Sequence, residues 1–280
     1  MASKPVHVVF CTVLLLLPAA RTPGWAQDRT GDAAPPHEEP AQAQDTAVPK
    51  SEIVTDRPDI TESSIVIPAG SVQAENGLTW TADHGKRTAD APQSLLRVGV
   101  GGRTEVRLGI PDYVYSLGRH QPRSGFTDVS IGVKQQLGPL PDAFDLSVIS
   151  AVSFPTGAHS QSSRGVDLEV KFPWSHALSS PWSMGGMFSV FSLTKGGHRN
   201  LIGEPTFYVE RAVGTAAELF VEYAGDYRRR GSPTQLLHLG GAYKVTPLQQ
   251  VDVHWGVGLS RAAPDVFLAI GYSFRLDRLF

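Results

Sequence analysis

The sequence predicts an all-β protein: a transmembrane antiparallel up-and-down β-barrel of about 12 strands. Three observations lead there. Apolar and polar residues alternate with period two from about residue 70 onward, an apolar leader opens the chain, and connections between the alternating segments are short and long by turns. Past the leader, no run approaches the roughly 20 apolar residues that a spanning helix needs.

The chain has 280 residues, with 25 Lys and Arg against 27 Asp and Glu and a net charge of -2, so it carries no basic footprint for nucleic acid. At the N-terminus Lys4 precedes VVFCTVLLLL, and Gly24, Trp25 and Ala26 follow, the layout of a secretory signal peptide over residues 1–26 with cleavage after Ala26. Cys11, the single cysteine, lies inside that leader. Disulfides, thiol catalysis and Cys-ligated zinc therefore drop out for the mature chain. Residues 27–50, QDRTGDAAPPHEEPAQAQDTAVPK, hold too few large apolar side chains to offset the entropy of ordering and read as a disordered spacer. His37, Glu38 and Glu39 form a solvated charge cluster with no second cluster at ligand spacing, so no metal and no cofactor is expected. Residues 51–280 are left for the barrel.

The strands are expected near 71–82, 92–100, 103–111, 125–138, 144–154, 165–175, 180–192, 203–212, 215–226, 234–245, 249–260 and 265–276. In TEVRLGI (104–110) Val106, Leu108 and Ile110 share one face, and Glu105 and Arg107 the other. DVSIGVK (128–134), VDLEVKF (166–172) and VDVHWGVGL (251–259) repeat the rule. In a barrel the polar parity faces inward. It sets Glu75, Glu105, Arg107, Asp128, Lys134, Asp167, Glu169, Lys171, Glu218, Glu222, Asp252 and His254 as candidate pore-lining residues, with Glu210, His238 and Lys244 in the same parity and acids in moderate excess. A wall of this size is wider than the eight-stranded barrels that side chains fill and narrower than open sixteen-stranded porins, so a narrow polar pore, a plugged lumen and a cross-linked charge network all fit.

A soluble sandwich would show the same alternation. Aromatics near strand ends, among them Trp80, Tyr115, Phe154, Trp182, Tyr227 and Tyr243, favour the membrane, where Trp and Tyr gather at the headgroup level. The longer connections, expected at 83–91, 112–124, 155–164, 193–202, 227–233 and 261–264, collect Lys86, Arg87, Arg119, Arg123, Arg164, Lys195, Arg199, Arg228, Arg229, Arg230 and Arg261. These cations suit outer-membrane lipid and lipopolysaccharide phosphates as partners. The last strand puts Tyr272 and Phe274 on its apolar face, and Phe280 is expected to continue that parity. Tyr272, Phe274 and Phe280 look like the C-terminal assembly signal of bacterial outer-membrane barrels, which implies the barrel-assembly machinery as a partner.

The segment IVTDRPDITESSIVIPAGSVQAENGLTW (53–80) resembles the opening of an outer-membrane transporter family associated with the meta-cleavage pathway of phenol degradation. Thr55, Asp56, Arg57, Pro58, Asp59, Thr61, Glu62 and Ser63 carry its first motif; Pro68, Gly70, Gln73 and Glu75 follow, and LLRVGVGGRTEVRLGI (95–110) and FPTG (154–157) extend the similarity over 53–280. The resemblance implies an outer-membrane barrel that passes small-molecule permeants, with aromatic compounds as one class. Physically, TDRPDITES gathers two Asp, one Glu and one Arg about a proline, which suits a plug in the barrel mouth, a brace on the first strand, or a periplasmic turn held by its own hydrogen bonds.

The function expected is passive passage of small solutes through the outer membrane by a non-enzyme. Two other classes stay open: a structural or adhesion barrel, resting on the basic outer loops, and a lipid hydrolase, resting on His159 with Ser160, Ser162 and Ser163 in GAHSQSSRG (157–165).

Overall fold

The computed structural model describes residues 52–117, 124–229 and 231–280. The signal peptide, the spacer, Cys11, the His37 cluster, Arg119, Arg123 and Arg230 lie outside the described residues.

Fifteen β segments run in chain order: β1 (Val72–Asp83), β2 (Lys86–Ala91), β3 (Leu95–Gly101), β4 (Thr104–Gly109), β5 (Tyr113–Ser116), β6 (Gly125–Phe126), β7 (Val129–Gln136), β8 (Phe144–Phe154), β9 (Asp167–Ala177), β10 (Trp182–Lys195), β11 (His198–Val213), β12 (Ala217–Arg228), β13 (Thr234–Thr246), β14 (Gln249–Gly258) and β15 (Val266–Leu276). Three pairs of segments are single strands with a break. β2 and β3 both pair with β1, at its outer and inner ends, and the breaks between β4 and β5 and between β6 and β7 follow in the next two strands. Twelve strands result, each antiparallel to its neighbours, and β15 closes on β1 from Val72↔Leu276 to Ala82↔Val266. The barrel has no open edge, so the backbone groups of its wall pair with one another, as an oily surrounding demands.

Burial runs opposite to a soluble fold. Arg97, Glu105 and Lys134 are 0% exposed, while Leu108, Ile131, Phe172, Leu219, Val253 and Ile270 stand exposed on the outer surface. Such a surface is stable only against hydrocarbon, and with the closed sheet it places the chain in a bacterial outer membrane. Trp182, Tyr243 and Tyr272 mark one margin of the apolar belt and Tyr115, Phe154 and Tyr227 the other.

Four of the five connections at one end, 102–103, 178–181, 214–216 and 247–248, have two to four residues, which identifies the periplasmic end; the fifth, 137–143, has seven. At the other end 117–124, 155–166, 229–233 and 259–265 are longer, but the loops expected at 83–91 and 193–202 are two-residue turns. His84 and Gly85 (φ 48° and 80°) and Gly196 and Gly197 (φ 59° and 77°) adopt the left-handed geometry that tight hairpins require, so the polar residues beside them are strand residues projecting past the membrane. A second correction concerns the C-terminus. β15 ends at Leu276 and Arg278 takes φ 59°, so Phe280, 75% exposed, leaves the strand parity; Leu279 N–H instead donates to Gly70 O at 2.8 Å.

Candidate functional site

The segment before β1 enters the barrel. Ile53 N–H donates to Pro247 O at the periplasmic rim (2.8 Å), Gln250 Nε2 reaches Thr55 Oγ1 (2.8 Å), and Ile60 and Thr61 N–H both donate to Glu222 (2.8 Å each) midway along β12. The chain then returns past Ser175 of β9 (Ser64 Oγ, 2.8 Å), Gln136 of β7 (Val66 N–H, 3.2 Å) and Glu105 of β4 (Ile67 N–H, 2.9 Å) to begin β1. Residues 53–70 thus form a re-entrant loop inside the lumen. Of the three readings left open by TDRPDITES, the periplasmic turn is excluded by this course.

One wall clamps the loop with ions. Arg97 uses all five of its donors: Nε and Nη2 on the Glu105 carboxylate (2.9 Å each), Nη1 on Glu75 (2.8 Å) and Val54 O (3.1 Å), and Nη2 also on Ile65 O (3.0 Å). It therefore holds both limbs of the loop at once. Asp56 receives Arg107 Nη1 (2.5 Å), Lys134 Nζ (2.8 Å) and the Ser63 N–H (2.9 Å), and Glu62 receives Arg107 Nη2 and Lys171 Nζ (2.6 Å each). Burial alone would push both carboxyls up; the cations outweigh it, holding Asp56 well below the usual range and Glu62 below it.

Arg57 occupies a slot cut into the wall. Its guanidinium donates to Asp252 (3.2 and 3.4 Å), Ile270 O (3.3 Å) and Gln93 Oε1 (3.3 Å). It lies over Gly77 and Gly271, which are direct cross-strand partners in β1 and β15, and a Cβ on either would overlap it. Two facing glycines make room for a side chain that no larger pair would admit.

The opposite wall, β11 and β12, meets the loop differently. Glu222 caps the Ile60 and Thr61 amides and contacts the Thr61 hydroxyl, while the His238 ring edge stands 2.6 Å from it at an angle that forms no hydrogen bond. Glu210 and Glu218 face a cavity of about 200 Å³ on the periplasmic side, lined also by Asp59, Thr61, Lys244 and Gln250. A second cavity, about 400 Å³, opens outward past Gln93, Asp112, Asp128, Ser130 and His254. Arg57 and Asp59 line both, so the loop tip is the partition between them. Burial first, then Glu222, Glu210, Glu218 and Asp252, push the Asp59 carboxyl well above its ordinary 3.8.

Residues 55–276 match the model of the family described as "Putative MetA-pathway of phenol degradation". The chain belongs to this family. The match begins at Thr55, so the re-entrant loop is part of the family's unit rather than an addition to it. No curated protein matches the chain. Among solved structures it is similar to an outer-membrane channel from Pseudomonas putida F1 (11% identity, TM-score 0.58, covering 76% of this chain and 98% of that one). It is also similar to the NanC porin (12% identity, TM-score 0.52, 73% and 100%). At such identities the likeness is one of fold alone.

The residues expected on the inner face divide into three sets. Glu75, Glu105, Arg107, Lys134, Lys171, Glu222 and Asp252 bind the loop, directly or through its partners. Glu218, Asp128 and His254 line the cavities, and Asp128 additionally accepts from Gly157 N–H (2.8 Å) and Ser163 N–H (3.0 Å) to brace the 155–166 loop. Asp167 pairs with Arg199 (3.3 Å) at the outer rim, and Glu169 supports Lys171 (3.3 Å). Arg97 and Arg275, both buried, and the glycine slot are absent from the sequence-based set. Their parity within LLRVGVG and SFRL held the signal, but neither residue is marked as a loop partner by its neighbours.

The hydrolase arrangement does not assemble. His159 Nε2 lies against Arg164, Ser160 donates to Ser124 O, Ser162 to Asp128, and Ser163 to Gly165 O, so these hydroxyls are engaged away from the imidazole that would activate one of them.

Proposed function

We propose that this barrel is a passive channel for small solutes, narrowed by its own N-terminal loop, with aromatic compounds as the first permeants to test. The observation that carries the reading is the pair of polar cavities meeting at Arg57 and Asp59 inside a closed, polar-lined barrel. A solute entering from outside reaches the 400 Å³ cavity and passes the loop tip. It then leaves along the acidic face of β11 and β12, where Glu210 and Glu218 favour cations over anions of equal size. No energy source is coupled.

The aromatic class follows from the phenol-degradation description of the family. The test is conductance of the folded mature protein across a planar bilayer, with and without a small aromatic acid on one side. Stepwise conductance partly blocked by the acid supports the channel and its permeant class; conductance indifferent to the acid keeps the channel and removes the class. A folded barrel that stays silent sinks the channel reading and favours a structural or adhesive role.

A further inference from the structure

The outer ends of β10, β11 and β12 carry a patch that the passage does not use. The β10–β11 hairpin pairs without interruption to Lys195↔His198, whereas β9 pairs with β10 only as far as Leu168↔Ser192 and β12 with β11 only as far as Arg228↔Ile202. Residues 193–201 therefore extend past the ladders of both neighbours, tied back to β9 by Asp167, which accepts from Thr194 N–H (2.7 Å) and Arg199 Nη1 (3.3 Å), with a concave surface on each side. One, about 660 Å³, is lined by His159, Arg164, Thr194 and Lys195 among others. The other, about 730 Å³, is lined by His198, Arg199, Leu201, Tyr227, Arg228 and Arg229 among others.

Five Lys and Arg side chains thus gather about one hairpin, and only two meet a carboxylate, Arg199 with Asp167 (3.3 Å) and Arg228 with Asp226 (3.2 Å). Among the described residues, Arg164, Lys195 and Arg229 have no carboxylate within ion-pair distance, so the patch keeps an uncompensated positive charge. Its height on the barrel is set by its apolar neighbours: Leu201, 65% exposed, and Tyr227 lie in the second concavity, and Phe188 and Phe207 continue the apolar belt below them. Cations directly above an apolar belt, with a Tyr at the boundary, sit where acyl chains give way to headgroups. The β1–β2 hairpin at the same end carries only two cations, Lys86 and Arg87, beside Asp83, and so has the lower net positive charge.

We propose that this rim binds the phosphate groups of an outer-leaflet phosphoglycolipid of the lipid A type. Arg164 and Lys195 serve one phosphate, Arg199 and Arg229 the other, and Leu201 and Tyr227 rest on the first acyl carbons. Guanidinium matches phosphate geometry with two parallel hydrogen bonds, and two clefts on either side of one hairpin suit a headgroup phosphorylated at both ends. The site lies at the outer rim and shares no residue with the two lumen cavities.

The test uses the full mature protein in phosphatidylcholine nanodiscs containing a small fraction of lipid A, with bound lipid counted by native mass spectrometry. The triple variant Lys195→Gln, Arg199→Gln, Arg229→Gln is expected to lose lipid A by roughly tenfold or more, and Lys86→Gln with Arg87→Gln to lose none. Dephosphorylated lipid A is expected to be retained no better than phosphatidylcholine, and millimolar inorganic phosphate to displace nothing. Equal retention of lipid A by the triple variant, or of the dephosphorylated lipid by the wild type, would overturn the proposal, as would displacement by free phosphate. Heat-modifiable migration checks folding, and Arg229→Gln alone, expected to show a partial loss, serves if the triple variant does not fold. Conductance of the same samples reports separately on the channel.

Discussion

Two walls of one lumen face the same loop and treat it in opposite ways. On the β3, β4, β7 and β9 side, Arg97, Arg107, Lys134 and Lys171 meet Asp56, Glu62, Glu75 and Glu105 in a connected network with little solvent access. On the β11 and β12 side, acids outnumber cations, and an open cavity separates Glu210 and Glu218 from the loop. The first wall is a clamp. In the channel proposed above the second is left for passage, because charges that are already paired and dry have nothing to offer a solute, whereas partly hydrated carboxylates still do.

The sharpest way to break this contrast is to remove the centre of the clamp. Arg97→Met leaves Glu75 without its cation, takes from Glu105 one of two close guanidinium partners and strips two loop carbonyls of their donor, and breaking a buried pair costs about 3–5 kcal/mol. The expected outcome is a large drop in the urea midpoint of the refolded barrel in detergent micelles. A midpoint within error of wild type would mean that the network does not hold the fold. Next in size is the slot: Gly77→Leu fills the space under Arg57, releases the loop tip while the strands stay paired, and should raise single-channel conductance severalfold. Unchanged conductance would show that the loop tip does not limit flow.

Mild acid should separate the walls without any mutation. Asp56 and Glu62 have lowered values in the fold, so their stabilisation is present above the ordinary carboxylate range and is lost only as pH falls through the lowered values. Asp59 is raised, so its charged form weakens the seating of the tip as pH climbs through that raised value. Between it and the ordinary 3.8 the group is protonated in the fold and the repulsion is relieved. Conductance is therefore expected to fall on mild acidification, while the clamp is still charged, and Asp59→Asn should flatten that dependence. A response that persists in Asp59→Asn would assign it elsewhere. The smallest effect belongs to Glu210→Gln with Glu218→Gln: partly hydrated charges act with roughly 1 kcal/mol or less, so cation preference, read from the reversal potential, should fall about two- to fivefold. Stability should hardly change.

Much of the architecture can be read from residue order. The twelve-strand count, the inward parity of Glu105, Arg107 and Lys134 and the outward parity of Leu108, Ile131 and Val133 follow from period-two alternation, because a pleated strand allows its side chains only two directions. Loop lengths were less legible. Lys86 to Asp90 and Arg199 to Leu201 look like loop by polarity, yet strands that project beyond the membrane tolerate polar residues on both faces, and alternation then vanishes. In TDRPDITES the charged residues are plain, but not their partners.

Local sequence specified a barrel, its inside and its outside, since each strand carries its own pattern and the bilayer enforces it. Only the closed tertiary structure decided that the N-terminal loop turns back into the lumen, that Arg97 grips both of its limbs, and that Gly77 and Gly271 face each other to admit Arg57. Those contacts join residues up to 213 positions apart, and a charge finds its partner through the register of the whole sheet and not through its neighbours in the chain.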